Sequence, residues 1–129
     1  MFRMIRLAIA CAALAASPVA VAQTPATEGQ VTTIVMIKTP PGIGREQINA
    51  GFGQAAPLYQ RIPGLIRKFF IVNADSFGGM YLWQDRASAE AWYSDAWRAK
   101  AKATYGSEPT LIYFDSPLQI DNSRRSGGQ

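Results

Sequence analysis

Lys68 stands in the middle of a run that is otherwise largely apolar, Leu65-Ile66-Arg67-Lys68-Phe69-Phe70-Ile71-Val72. Arg67 and Lys68 are neighbours, so in an extended strand they point to opposite faces. A cation set among aromatic and aliphatic side chains can hold an enolate or a phenolate. The structural alternative is a side chain that snorkels at a sheet edge or forms an ion pair. Asp115 closes a second β-rich run, Thr110 to Phe114, and could act as a base or pair with Lys68; its alternative is a turn or cap role in Asp115-Ser116-Pro117. Tyr113 shares the face of Asp115, and Tyr81 shares that of Trp83. Tyr59 lies beside Pro57, and Trp97 projects from a helical stretch. Such aromatic residues either line a pocket or fill a core. The candidate site is therefore Lys68, Tyr113 and Asp115 for the chemistry, with Tyr59, Tyr81, Trp83 and Trp97 for holding a substrate.

What is missing narrows the chemistry further. The chain has no histidine, and its one cysteine, Cys11, lies in the N-terminal segment discussed next. Beyond that segment, disulfides, thiolate nucleophiles, Ser-His-Asp catalysis, histidine-ligated haem and the usual zinc sites are excluded. The groups left for acid–base work are Tyr, Asp, Lys, Arg, Asn and the indole N–H.

Arg3 and Arg6, the apolar run Leu7 to Ala16, and Ala20-Val21-Ala22 before Gln23 occur in the order of a secretory signal peptide. The apolar run is short of the roughly 20 residues that span a bilayer. Residues 1–22 are thus expected to be removed, leaving an exported protein, periplasmic or secreted, of 107 residues and one domain. Without Arg3 and Arg6 the net charge falls from +4 to +2. The remaining basic residues are scattered, so neither nucleic acid nor, once the leader is gone, a membrane is an expected partner.

The elements that must position the candidates can be read from turns and periodicity. Residues 23–30 form a flexible lead-in, and Val31 to Lys38 is a β-branched first strand. From Arg45 to about Gln60, Ile48, Phe52, Ala55, Ala56 and Tyr59 recur at helical spacing, with a kink expected near Pro57. After Pro63-Gly64 a hairpin follows, with Leu65 to Val72 as one strand, turn signals from Asn73 to Gly79, and Met80 to Trp83 as the other. Both faces of its first strand are apolar: Ile66, Phe70 and Val72 on one side, Leu65, Phe69 and Ile71 on the other. Asp85 is a good N-cap, Ser94-Asp95 a second cap and hence a break, and Gly106 a C′ glycine. Thr110 to Phe114 is the last strand, Leu118 to Ile120 an edge segment, and residues 123–129 a disordered tail. The order β-α-β-β-α-β is the ferredoxin-like, α+β pattern: two helices on one face of a four-stranded antiparallel sheet. Strands apolar on both faces need a second cover, and a homodimer is the expected one.

Five strings carry a resemblance to a known family. They are Ile62-Pro63-Gly64-Leu65-Ile66-Arg67-Lys68-Phe69-Phe70, Gly78-Gly79-Met80-Tyr81-Leu82-Trp83, Trp97-Arg98, Tyr105-Gly106 and Tyr113-Phe114-Asp115-Ser116-Pro117. Across about Val31 to Asn122 the chain resembles the YdhR-type monooxygenase family. The resemblance implies a ferredoxin-like domain over 31–122, a dimeric α/β barrel, and kinship with the cofactor-free antibiotic-biosynthesis-type monooxygenases. The expected activity is oxygenation, without a cofactor, of a small aromatic or enolisable substrate in an apolar pocket between helices and sheet. Two other readings stay open: a binding or sensing module for a small apolar ligand, and a structural homodimeric barrel.

Overall fold

The computed structural model describes residues 29–123. The expected leader, nearly all of the lead-in and all but the first residue of the tail lie outside these residues. The described chain forms β1 (Val31–Lys38), α1 (Arg45–Tyr59), β2 (Leu65–Val72), β3 (Ser76–Trp83), α2 (Arg86–Trp92), α3 (Asp95–Tyr105) and β4 (Thr110–Asp115). The four strands make one antiparallel sheet in the order β2-β3-β1-β4, so β2 and β4 are its edges. This is the α+β, ferredoxin-like arrangement, with the second helical region divided in two at Tyr93 and Ser94.

Alternation builds the core on one face of the sheet. Val31, Thr33, Val35 and Ile37 of β1 are buried there, next to Phe77, Tyr81 and Trp83 of β3. The helices close over them. Phe52 of α1 packs on Phe70 at 4.8 Å between ring centres, and Tyr105 of α3 packs on Phe77 at 5.2 Å. Asp85 accepts a hydrogen bond from the Ser88 N–H at 2.7 Å, and Ser94 accepts one from Trp97 N–H at 3.2 Å. These two caps satisfy orphan donors of α2 and α3 and account for the break between them. Gly106, with φ of 80°, ends α3 in the left-handed conformation.

Two readings of the hairpin are corrected. The turn is only Asn73 to Asp75, held by Asn73 Oδ1, which accepts from the N–H groups of Asp75 and Ser76. Gly78 and Gly79 are strand, not turn. A Cβ on Gly78 would lie 1.8 Å from the Val35 carbonyl oxygen, so the residue is there for the close approach of β1. The second correction concerns β2. A bulge between Leu65 and Arg67 lets Leu65 face Trp83 while Arg67 faces Leu82. Leu65 therefore joins Lys68, Phe70 and Val72 on the helix side, and strict alternation, which put it with Phe69 and Ile71, fails at Ile66.

The other face of the sheet carries no helix. Ile66, Phe69, Met80, Ile112 and Phe114 are exposed on it. After β4 an irregular arm replaces the expected edge segment. Ser116 N–H donates to the Gln30 carbonyl at 2.8 Å, the Ser116 and Thr32 hydroxyls are bonded, and Arg67 meets Asp121 at 3.3 Å. The arm thus passes from β4 by the start of β1 to β2, and leaves Leu118 and Ile120 81% and 79% exposed.

Candidate functional site

Lys68 is placed by its register. It lies opposite Tyr81 on the edge strand β2 and turns toward the helices. Its Nζ sits 3.0 Å from the ring centre of Tyr59, 4.0 Å from that of Phe70 and 4.5 Å from that of Tyr81. Three ring faces thus surround one ammonium group, a geometry that favours a cation through the ring quadrupoles. Among the described residues no carboxylate lies within ion-pair distance of it. Burial pushes the Lys68 ammonium down to about 7. Near neutral pH the amine thus exchanges its proton readily, as a general base must.

The cage exists because a glycine lies beneath it. Gly79 stands opposite Phe70 on β3, and a Cβ there would come 2.8 Å from the Tyr81 ring and 2.9 Å from Lys68 Cε. Tyr59 comes from the last turn of α1, which continues through Pro57 to Tyr59. Burial raises the Tyr59 phenol, partly offset by its hydrogen-bonding interaction with Tyr81. Burial likewise raises Tyr81, reinforced by repulsion from Tyr59 and Tyr93. Both hydroxyls therefore remain donors across the neutral range.

The expected residues do not all converge. Tyr59, Lys68 and Tyr81 meet in the cage. Trp83 is completely buried behind them: it stacks on Tyr81 at 6.0 Å and donates from Nε1 to Thr33 Oγ1 at 3.0 Å. Thr33 Oγ1 also bonds the Tyr93 hydroxyl at 2.7 Å, so Trp83 holds the core together and offers no surface to a substrate. Trp97 packs on Tyr93 at 4.9 Å. Tyr113 lies 6.1 Å from Tyr93 and carries the Arg86 guanidinium 4.6 Å above its ring. Asp115 ends the opposite edge strand, opposite Val31. Two strands separate it from Lys68, about 14 Å at the usual strand spacing, so the two do not pair within one chain.

Aromatic rings pack in the space between helices and sheet, where an open pocket was expected. Two grooves lie outside it: one of about 420 Å³ is bordered by Lys38, Asp75, Ser107 and Glu108, and another of similar volume by Ile62, Pro63, Ala91 and Trp92. Phe70, Thr33, Gly79 and Tyr93 were not singled out from the sequence as parts of the site. Phe70 could have been found, because it shares the face of Lys68 two residues on. Gly79 read as a turn, and Thr33 shows its role only once Trp83 and Tyr93 are seen to meet over it.

No protein-family model matches the sequence, and no curated protein matches it. Solved structures do. A protein of unknown function from Nitrosomonas europaea, NE2512, superposes with a TM-score of 0.58 at 20% identity, over 75% of this chain and 98% of that one. SnoaB, a cofactor-independent oxygenase from Streptomyces nogalater, gives 0.50 at 19% identity, over 70% and 96% of the two chains. A monooxygenase from the gene ActVA-Orf6 of Streptomyces coelicolor, in complex with the ligand nanaomycin D, gives 0.50 at 12% identity, over 76% and 96%. At these identities the likeness is one of fold. The chain shares with them a ferredoxin-like fold, a four-stranded antiparallel sheet with helices on one face.

Proposed function

We propose that this protein is a cofactor-independent monooxygenase of the YdhR type, acting on a small aromatic or enolisable substrate at Lys68. The observation that carries the reading is the Lys68 amine, enclosed by Tyr59, Phe70 and Tyr81, with no carboxylate of the described residues against it and its pKa lowered to about 7. Two structural neighbours, one a cofactor-independent oxygenase and one a monooxygenase, support it.

In this reading the neutral amine takes the acidic proton of a phenol or ketone. The ammonium so formed then pairs with the substrate anion, which supplies the counter-charge that the cage lacks. The electron-rich anion passes an electron to dioxygen, and the pair joins in a carbon–oxygen bond to give a peroxide, which the Lys68 ammonium protonates. The same carbon then loses its remaining hydrogen as the O–O bond breaks, so that a carbonyl stays on the product and the other oxygen leaves as water. Tyr59 and Tyr81 keep their protons and can donate to the developing oxyanion. The surrounding rings exclude water, which strengthens every one of these interactions.

Two copies of the chain, joined through the bare sheet faces, would complete the barrel, and export would place the dimer outside the cytoplasm. Intact mass of protein recovered from the exporting cell tests the latter: loss of residues 1–22 supports it, and a full-length cytosolic species refutes it. The catalytic reading is tested by oxygen consumption with a panel of phenols and aryl ketones. Wild-type turnover that Lys68→Met abolishes, with folding intact, supports it. Binding without oxygen uptake would instead make the protein a small-molecule binding module.

A further inference from the structure

We propose that Lys68 is a covalent acceptor for small unbranched aldehydes, which it holds as an iminium ion among the rings of Tyr59, Phe70 and Tyr81. The proposal goes beyond the oxygenase reading, since it needs neither dioxygen nor turnover.

A primary amine adds through its nitrogen lone pair to the carbon of an aldehyde. The carbon–nitrogen bond forms, the carbonyl π electrons pass to oxygen, and a proton moves from nitrogen to that oxygen to give a carbinolamine. Its hydroxyl takes up one further proton and leaves as water while the nitrogen lone pair closes the C=N bond. The sum is amine, aldehyde and one proton going to iminium and water. No oxidant or reductant enters.

The charge of the adduct selects the class. Three ring faces surround Nζ, at 3.0, 4.0 and 4.5 Å from it, and no carboxylate of the described residues lies at ion-pair distance. Ring faces attract a cation and offer nothing to an anion. An acyl group would turn the nitrogen into a neutral amide, and carbon dioxide would turn it into an anionic carbamate. Of these adducts only the iminium keeps the positive charge that the rings are placed to hold.

The same groups limit size. A Cβ on Gly79 would already come within 2.9 Å of Lys68 Cε, so there is no room beneath the stem, and the Tyr59 ring closes the side of α1. Within the sheet, β2 has no neighbour on its outer side. An unbranched alkyl chain can pass outward there, whereas a quaternary carbon next to the C=N bond would meet the rings. The other lysines of the described chain are poor rivals. Lys38, Lys100 and Lys102 are exposed, and Lys102 meets Glu108 at 3.4 Å. An ammonium in water has no lone pair to offer. Burial, which brings the Lys68 ammonium down to about 7, leaves a large share of it as free amine near neutrality.

The test incubates the purified protein at pH 7, without oxygen, with propanal and cyanoborohydride. The hydride reduces the iminium to a stable secondary amine, and peptide masses then locate the propylated lysines. We expect Lys68 to be modified at least about tenfold faster than Lys38, Lys100 or Lys102, a preference that vanishes when urea unfolds the chain. With 2,2-dimethylpropanal, Lys68 should instead be modified more slowly than those three. Modification of Lys68 no faster than theirs, a preference that persists in the unfolded chain, or equal reaction of Lys68 with the two aldehydes overturns the proposal. Oxygen uptake is a separate measurement. Selective propylation in a protein that consumes no oxygen with any phenol or ketone supports the aldehyde site and sinks the oxygenase, whereas oxygenase activity with an unreactive Lys68 does the reverse.

Discussion

An ammonium group enclosed by rings, with no anion beside it among the described residues, makes the folded state sensitive to pH in an unusual direction. Lys68 titrates near 7 when folded and near 10.5 when unfolded. Below pH 7 both states hold the proton and the cost of burying the charge is full. Between about 7 and 10.5 the unfolded chain binds more protons, so stability should rise with pH across that window. Above about 10 the raised tyrosines reverse the trend, because unfolded phenols ionise while Tyr59, Tyr81 and Tyr93 stay protonated. Urea midpoints measured from pH 6 to 9.5 should therefore climb in the wild type and stay flat in Lys68→Met. The variant should be more stable at pH 6 by on the order of 1–2 kcal/mol, solvent access to the amine reducing the full value of its shift. If Lys68 is the base, kcat/KM rises with pH to a plateau with a midpoint near 7. A second residue-scale prediction concerns Thr33, whose hydroxyl serves both Trp83 and Tyr93. Thr33→Val keeps the shape but leaves two buried polar groups unpaired, and thermal unfolding should report a loss of about 2–3 kcal/mol. The chemistry of the cage was legible in part: a lysine in an apolar run announces itself. Tyr59 and Tyr81 stood among the aromatic residues expected at the site, but that they, and not Trp83, Trp97 or Tyr113, meet Lys68 was not legible, because they come from α1 and β3 and only the packing of helix on sheet brings them to β2.

At the scale of elements, most of the chain was legible because its boundaries are marked by local chemistry. Asp85, Ser94 and Gly106 cap helices through their own side chains or backbone freedom, and the strands β1 and β4 begin and end where β-branched runs do. The start of β3 was hidden. Glycine pairs usually mark turns, but Gly78-Gly79 serves two close approaches from neighbouring strands, and these depend on pairing across the sheet. Gly79→Ala tests that explanation. Its methyl group would meet the Tyr81 ring at 2.8 Å, so we expect destabilisation of about 1–3 kcal/mol and a displaced Lys68 side chain, visible as an amine titration moved away from 7.

The whole molecule presents one covered and one uncovered sheet face. Phe69 is 54% exposed on the uncovered side, with Ile112, Phe114, Met80 and Ile66 near it. Contiguous apolar surface of this kind marks an interface. Sedimentation equilibrium at micromolar concentration should give twice the mature mass, and Ile112→Lys should return the monomer without loss of helix content. A wild-type monomer would show that the arm and the residues around it suffice as cover. None of the described helices is long and apolar enough to cross a membrane.

The bulge at Ile66 has a consequence for how the gene can change length. Removing one residue from a strand ordinarily reverses every side chain beyond the deletion, and a core strand does not survive it. In β2 the ladder already passes from Leu65 opposite Trp83 to Arg67 opposite Leu82, with Ile66 as the surplus residue. Deleting Ile66 therefore shortens the chain without changing which side chains face the helices. That deletion should fold with the wild-type circular dichroism spectrum, whereas deleting Ile71, five positions on, should leave the protein unfolded. The neighbourhood of the cage thus contains a strand position where a codon can be lost and the reading of inside and outside is kept.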